Sequence, residues 1–416
     1  MYQRSDLWAY LQQVPVVDTH EHFHRFTDTQ GYDLVNFLYS NSYLSTLAMH
    51  IEPERIAMIT DTSRAEEQRY QALLEMYDRV RYTRCGRAAR DMVRIWGVDD
   101  LKPDNLPQLR DTFVNRLQNL NMPEQICAYI VNSAGHPLYG YVRGLRDYVA
   151  GKMPCEDKIY VNPLISGLHC LYNRQQIEDV AYAADMEIGS VAELIDAVQR
   201  IMEGCVKVGA VGFKDVYTYF RTYEIGKPDR SAAEKDFEGI RNGNTATGAL
   251  ADFMFYRVYD IARQLRKPMG IHTGFIITTC APASYLGTLG PVMETFPELQ
   301  FDLYHFNYPL LEPCVQMLKS YPNVYANGAW ATGMMTEYAK PFLKEALHSL
   351  PAERILAYGG DSHCAGEMTR ITLKNALQVV DGVLGDAMTE GYLSLQEAED
   401  VAKIWLSGSA KRLYGI

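Results

Sequence analysis

No stretch of this sequence approaches the roughly 20 consecutive apolar residues that span a bilayer, so no membrane-spanning segment is expected. Its first residues, Met1-Tyr2-Gln3-Arg4-Ser5-Asp6, lack the apolar core of a secretory signal. Basic runs and low-complexity tracts are missing too. The formal net charge of -11 argues against nucleic acid or an anionic membrane as the main partner. Cys-x-x-Cys spacing is absent. The eight cysteines (85, 127, 155, 170, 205, 280, 314 and 364) are scattered and read as reduced packing thiols of a cytoplasmic protein. Without a Gly-x-Ser-x-Gly elbow, a Ser-His-Asp hydrolase is disfavoured. No glycine-rich dinucleotide turn follows any apolar run, which counts against a doubly wound open sheet.

What is present is an ordinary globular composition, 47% hydrophobic and 22% charged over 416 residues, with length for a large core. Near the start stands Val16-Val17-Asp18-Thr19-His20-Glu21-His22-Phe23-His24. Alternate residues of a strand face the same way, so His20 and His22 project together, and His24 joins them if the strand continues. Two imidazoles at the end of an apolar strand make half of a metal site.

A helix over 5–13 precedes this strand, which is placed at about 15–20. Residues 28–124 then read as a long, mostly helical insertion. Apolar residues recur there at three- and four-residue spacing over 32–39, Glu66–Val80, Ala88–Trp96 and Leu106–Leu117. Among its many arginines, Arg84, together with Tyr82, is the best placed to reach a site from above. After the insertion, apolar runs alternate with helical stretches such as Ser190–Met202, Ala249–Arg266 and Pro309–Ser320. The runs are Ile126–Val131, Ile159–Leu164, Val208–Phe213, Pro268–His272, Gln300–His305, Asn323–Asn327 and Ile355–Gly359. With the first strand they make eight. The expectation is an α/β fold, a (β/α)₈ TIM barrel forming a single domain over 1–416.

In such a barrel the C-terminal strand ends converge on one face. Those ends carry His20 and His22, Lys214, His272, His305 and Asp361, with His363 just beyond. Four of only ten histidines fall there, a placement hard to assign to packing. Any one of these groups alone would be a core histidine, a surface lysine or a helix-capping Asp. His50, His136, His169 and His348 fit no such pattern.

The order His20-x-His22, Lys214, His272, His305, Asp361 resembles the amidohydrolase superfamily of metal-dependent barrels, from the first strand to the eighth. The chain is most similar to the amidohydrolase family 2 branch. Val211-Gly212-Phe213-Lys214 with Tyr219-Phe220-Arg221, Ile271-His272-Thr273-Gly274 and Tyr304-His305-Phe306-Asn307-Tyr308-Pro309 resemble nodulin and fluG-type proteins. Tyr39-Ser40-Asn41-Ser42-Tyr43 and Trp96-Gly97-Val98 are similar to the insertion of the uronate isomerases. The resemblance implies that His20, His22, His272 and Asp361 hold a divalent metal, Zn²⁺ first and Mn²⁺ as the alternative. It also implies that Asp361 takes a proton from the water that the metal activates and passes it to the leaving group. With one ion per chain, His305 stays off the metal and acts on the substrate. With two, a carbamylated Lys214 bridges them and His305 binds the second. Unmodified, Lys214 would meet an anionic substrate group as a point charge.

Residues near the strand ends are candidates for substrate binding: Arg25, Tyr217, Tyr219, Arg221, Tyr308, Trp330 and His363. Arg25 and Arg221 suit a carboxylate through paired hydrogen bonds. The leading expectation is a metal-dependent hydrolase of a small polar, carboxylate-bearing substrate, cleaving a C–N or ester/lactone bond. The alternative is a uronate-type sugar-acid isomerase or decarboxylase on the same metal scaffold. A third class, a non-catalytic binding barrel, should have lost ligands at the strand ends, and this chain has lost none. The expected partner is a small molecule, and a homo-oligomer is compatible with the sequence.

Overall fold

The computed structural model describes residues 4–27, 29, 31–120, 122–132, 142–153, 155–274 and 286–416; His136 and Cys280 lie outside them. Eight strands appear, β1 Val16–Glu21, β2 Ile126–Val131, β3 Ile159–Val161, β4 Phe213–Asp215, β5 Met269–Ile271, β6 Phe301–Tyr304, β7 Val324–Asn327 and β8 Ile355–Leu356. Every neighbouring pair is parallel. β1-β2-β3 form one sheet and β4-β5-β6-β7-β8 another. A bridge between Leu164 and Lys214 joins the two sheets on one side. On the other side the Asp361 amide donates to the His20 carbonyl (2.6 Å) and the His22 amide to the Ser362 carbonyl (3.0 Å). The end of β8 therefore runs beside the end of β1. All six β1 residues are buried, as expected of a strand covered on both faces.

The fourth strand departs from expectation. The preceding helix, Val191–Lys207, continues through Cys205 and Val206, and Gly209 turns the chain with φ 108. The strand is thereby delayed to Phe213–Asp215, and Lys214 lies inside it instead of following it. The other strands fall within the expected runs, most of them shorter, apart from β1, which extends one residue further.

Between β1 and β2 the chain is helical, with Leu34–Asn41, Pro53–Thr60, Glu66–Val80, Arg84–Ile95 and Leu106–Asn115. These helices share an apolar cluster that includes Phe37, Leu73, Met76 and Met92, and it reaches Cys364, Met368 and Ile371 beyond β8. Polar bonds reinforce the contact. Arg116 pairs with Glu367 (3.0 Å) and donates to the Ala365 carbonyl (3.0 Å). The Trp96 indole donates to Glu367 (2.8 Å), and the Cys364 amide donates to Asn41 Oδ1 (3.1 Å). The segment that follows β8 is thus held from above at several points.

The end of β4 is pinned from the side. Asp215 accepts from Ser166 Oγ (2.7 Å) and Tyr259 OH (2.9 Å), and it pairs with His169 Nε2 (2.8 Å). Burial opposes the charge on His169, but Asp215 and Cys170 outweigh it and carry the imidazole up to about 10.

The unfolded His169 loses its proton near about 6.5, so the stability that this pair contributes is complete below that pH and is lost as pH rises toward 10. The unfolding free-energy difference between wild type and His169→Gln, measured in urea, should be about 3 kcal/mol at pH 6 and narrow steadily toward pH 10. Arg116→Met leaves the Glu367 carboxylate buried without its guanidinium. We expect it to cost about 3 kcal/mol in the same assay.

Candidate metal centre

The strand ends place three donor groups within reach of a single ion. One ligand atom each from His20, His22 and Asp361 lies within 4.8 Å of the others. His20 Nε2 and His22 Nε2 approach Asp361 Oδ1 to 3.0 and 2.8 Å. Asn132 meets His20 Nδ1 at 2.6 Å, fixing the ring so that Nε2 faces the other two. β1 ends at Glu21, and His24 falls outside the cluster.

His272 and His305 complete the constellation through a chain of hydrogen bonds. His305 Nδ1 lies 2.9 Å from the Ala329 carbonyl, which can only accept, so this nitrogen carries the proton. His305 Nε2 is then an acceptor, and His272 Nδ1 donates to it at 3.2 Å. That leaves the lone pair on His272 Nε2, a buried nitrogen with no hydrogen-bond partner. Burial keeps both rings neutral, with His305 near 4 and His272 well below its usual value, and it does the same to His20. Burial also opposes ionisation of Asp361, but His20 and His22 outweigh it and hold the carboxyl well below the usual range. Neutral imidazoles, one ionised carboxylate and an unpartnered buried nitrogen form a donor set that fits a divalent ion.

Lys214 stands apart from this set. Its Nζ sits 3.1 Å from the Tyr304 ring centroid and makes no hydrogen bond. Burial pulls the amine down to about 7. Tyr304 in turn bonds Tyr414 OH (3.0 Å), which donates to Asp302 (2.6 Å).

Asp361 owes its position to two other carboxyl groups. Asp18 Oδ1 accepts from the Gly360 amide (2.9 Å), and Glu21 Oε2 accepts from the Ser362 amide (2.5 Å). Burial pushes both carboxyls up, Asp18 to about 6. Gly360 is required here, because a Cβ would collide with the Glu21 carboxylate. Asp361 itself has φ 57, and His305, Phe306 and Asn307 have φ 67, 49 and 57. Left-handed backbone at non-glycine residues is costly and concentrates at functional sites.

A cavity of about 450 Å³ opens above the cluster. Asp361, His272 and His305 form its floor, and Tyr219, Tyr308 and Trp330 its sides. The helices between β1 and β2 add Tyr43, Leu47, Met49, His50 and Arg84. Of the expected substrate residues, Tyr219, Tyr308 and Trp330 line this cavity. His363 stacks on His22 (5.3 Å between centroids, 19°) without lining it. Arg221 lies outside the lining and pairs with Asp252 (2.6 Å). Tyr217 packs into the core beside Phe255 and Tyr223. Arg25 is exposed and outside the lining, while Arg84 lines the cavity and Tyr82 is 87% exposed. Asp18, Glu21, Tyr43 and His50 were not singled out from the sequence. For Asp18 and Glu21 the signal was available, as two acidic residues in the strand that Val16 and Val17 open.

Comparisons with known proteins agree with this geometry. The sequence model of the family described as amidohydrolase matches residues 172–416, which takes in Lys214, His272, His305 and Asp361. A curated relative, protein fluG of Emericella nidulans, is 26% identical over 223 residues, 49% of this chain and 25% of its own length. The chain thus spans about a quarter of that relative. Among solved structures, a uronate isomerase from Thermotoga maritima superposes with a TM-score of 0.74 at 14% identity, over 99% of this chain and 97% of that one. A glucuronate isomerase from Caulobacter crescentus gives 0.71 at 13%, over 99% and 93%. A protein described as a metal-dependent hydrolase from Lactobacillus casei gives 0.66 at 15%, over 98% and 97%. At these identities the structural likeness shows a shared fold. The family match covers well over half of the sequence, and the chain belongs to the amidohydrolase family.

Proposed function

We propose that this chain is a metal-dependent hydrolase of a small substrate whose polar end, carboxylate-bearing in the simplest case, carries a C–N or ester/lactone bond. In this reading residues 1–416 form one closed (β/α)₈ barrel, and the insertion over 28–124 roofs its active site. The observation that carries the proposal is the convergence of His20, His22 and Asp361, with Asp361 and His272, whose Nε2 is unpartnered, both lining one cavity. These four residues would hold the metal, with Zn²⁺ as the first choice and Mn²⁺ as the second. Bound there, a divalent ion supplies Lewis acidity and lowers the pKa of water to near 7. Asp361 turns Oδ1 toward His20 and His22 and Oδ2 toward His305, 4.0 Å away. Its Oδ2 is the atom that would take a proton and return it to the leaving group. His305, neutral and lining the cavity, is the second catalytic residue and acts on the substrate. Tyr308 and Trp330 orient the substrate from the sides. His363 supports His22 by stacking.

Isomerisation of a sugar acid, or decarboxylation, on the same residues is the second reading. The fold shared along the full chain with a uronate isomerase supports it.

Elemental analysis of protein purified without chelator and loaded with Zn²⁺ or Mn²⁺ tests the assignment. Wild type should retain metal and Asp361→Asn should lose it. About one ion per chain, unchanged by Lys214→Ala, supports His305 as the substrate-acting residue; about two, falling with Lys214→Ala, support a bridge through a carbamylated lysine. A wild type that retains none removes the reading. Glu21→Leu deletes the acceptor for the Ser362 amide without touching a ligand. Its metal affinity should fall about 10- to 100-fold in a competition titration, and an unchanged affinity would mean that Glu21 does not position Asp361.

A further inference from the structure

The floor and the roof of the cavity differ in chemistry. The floor is polar, formed by Asp361, His272 and His305. Beside Tyr43 and His50, the polar residues of the roof are Thr46, Thr83 and Arg84, and each of these three bonds within the protein. Thr46 Oγ1 donates to the Tyr43 carbonyl (2.8 Å), and Thr83 Oγ1 donates to the Val80 carbonyl (2.6 Å). Arg84 bonds Thr336 Oγ1 and pairs with Glu337 (3.3 Å). What remains facing the cavity is largely apolar: Leu47, Met49, Cys85, Pro309 and Met335, with the rings of Tyr308 and Trp330. Only two buried polar atoms of this upper part lack a hydrogen-bond partner, Tyr43 OH and Trp330 Nε1.

We propose that the substrate is two-ended, with its reacting polar head on the His/Asp floor and an aryl or branched-alkyl arm against Leu47, Met335 and Trp330. This rests on the reading of the floor as the metal-dependent site. The physical ground is desolvation. A chain of hydroxyls pressed against Leu47 and Met335 would lose its water to side chains that cannot hydrogen-bond it, and each buried hydroxyl left unpaired weakens binding by about tenfold or more. An apolar arm of the same size loses nothing there and gains from leaving water. The roof thus selects against a polyol and for a hydrophobic acid, amide or ester, whichever reaction the floor performs.

The test compares two carboxylates of equal charge, 4-phenylbutyrate and glucuronate, by isothermal titration into Zn²⁺-loaded full-length protein. The aryl acid should bind at least about tenfold tighter. Leu47→Ser and Met335→Ser, each checked for an unchanged melting temperature, should weaken the aryl acid about tenfold and leave glucuronate unaffected. Two positions on different elements are used so that one poorly folded variant does not decide the result. Glucuronate binding as tightly as the aryl acid, no detectable aryl binding at millimolar concentration, or folded variants with unchanged affinity would each overturn the proposal. Metal content is read on the same samples. Protein that loads metal but shows no aryl preference leaves the hydrolase reading standing and removes this one. Protein that retains no metal yet prefers the aryl acid does the reverse.

Discussion

Two backbone amides, those of Gly360 and Ser362, fix the centre of this molecule. Each is held by a buried carboxyl group of the first strand, Asp18 on one side and Glu21 on the other. The residue between them is Asp361, whose left-handed backbone would not persist without that grip. Because the same strand carries His20 and His22, the first strand and the segment after β8 are joined through the atoms that bring the three donors together. The brace is costly in isolation, since two acidic groups are withdrawn from water side by side. The hydrogen bonds from the two amides offset part of that cost. Nothing as large as a methyl group fits at residue 360, so the fit extends to the glycine itself.

Burial does a second service at this site. It strips the charge from His20, His272 and His305, and an uncharged imidazole is the form that offers a lone pair. The same burial leaves Lys214 close to neutrality on the face of Tyr304. The ionised carboxylate of Asp361 is the counterweight, stabilised by the two rings that crowd it. The electrostatics therefore favour the arrival of a positive ion and disfavour protonation of His20, His272 and His305.

Much of this was legible in the sequence because strands repeat every two residues and parallel strands end on a common face. That periodicity is enough to find His20, His22, His272, His305 and Asp361 from one-dimensional spacing. It places Lys214 less well, because the apolar residues after Lys207 serve a turn around Gly209 and not a strand. It misses His169, whose partner Asp215 is 46 residues away in the chain and meets it only once the fold is made. The arginines show the same limit. Proximity to a strand end suggested Arg221, but its guanidinium pairs with Asp252, whereas Arg84, singled out in the helical segment, lines the cavity. Which cation faces a cavity depends on neighbours that spacing does not record.

The bonds from Asn41, Trp96 and Arg116 to the segment after β8 bear on how a small molecule enters and leaves. Raising the roof would separate Arg116 from Glu367 and uncover an apolar cluster that is continuous with Met368 and Ile371. It would also release the chain next to Asp361. The cavity has another way out, past Met49, which is 65% exposed, and the exposed His50. Passage along that rim disturbs none of these contacts. A lifting of these helices would break the contacts to the segment after β8, whereas the exposed rim at Met49 and His50 leaves them in place.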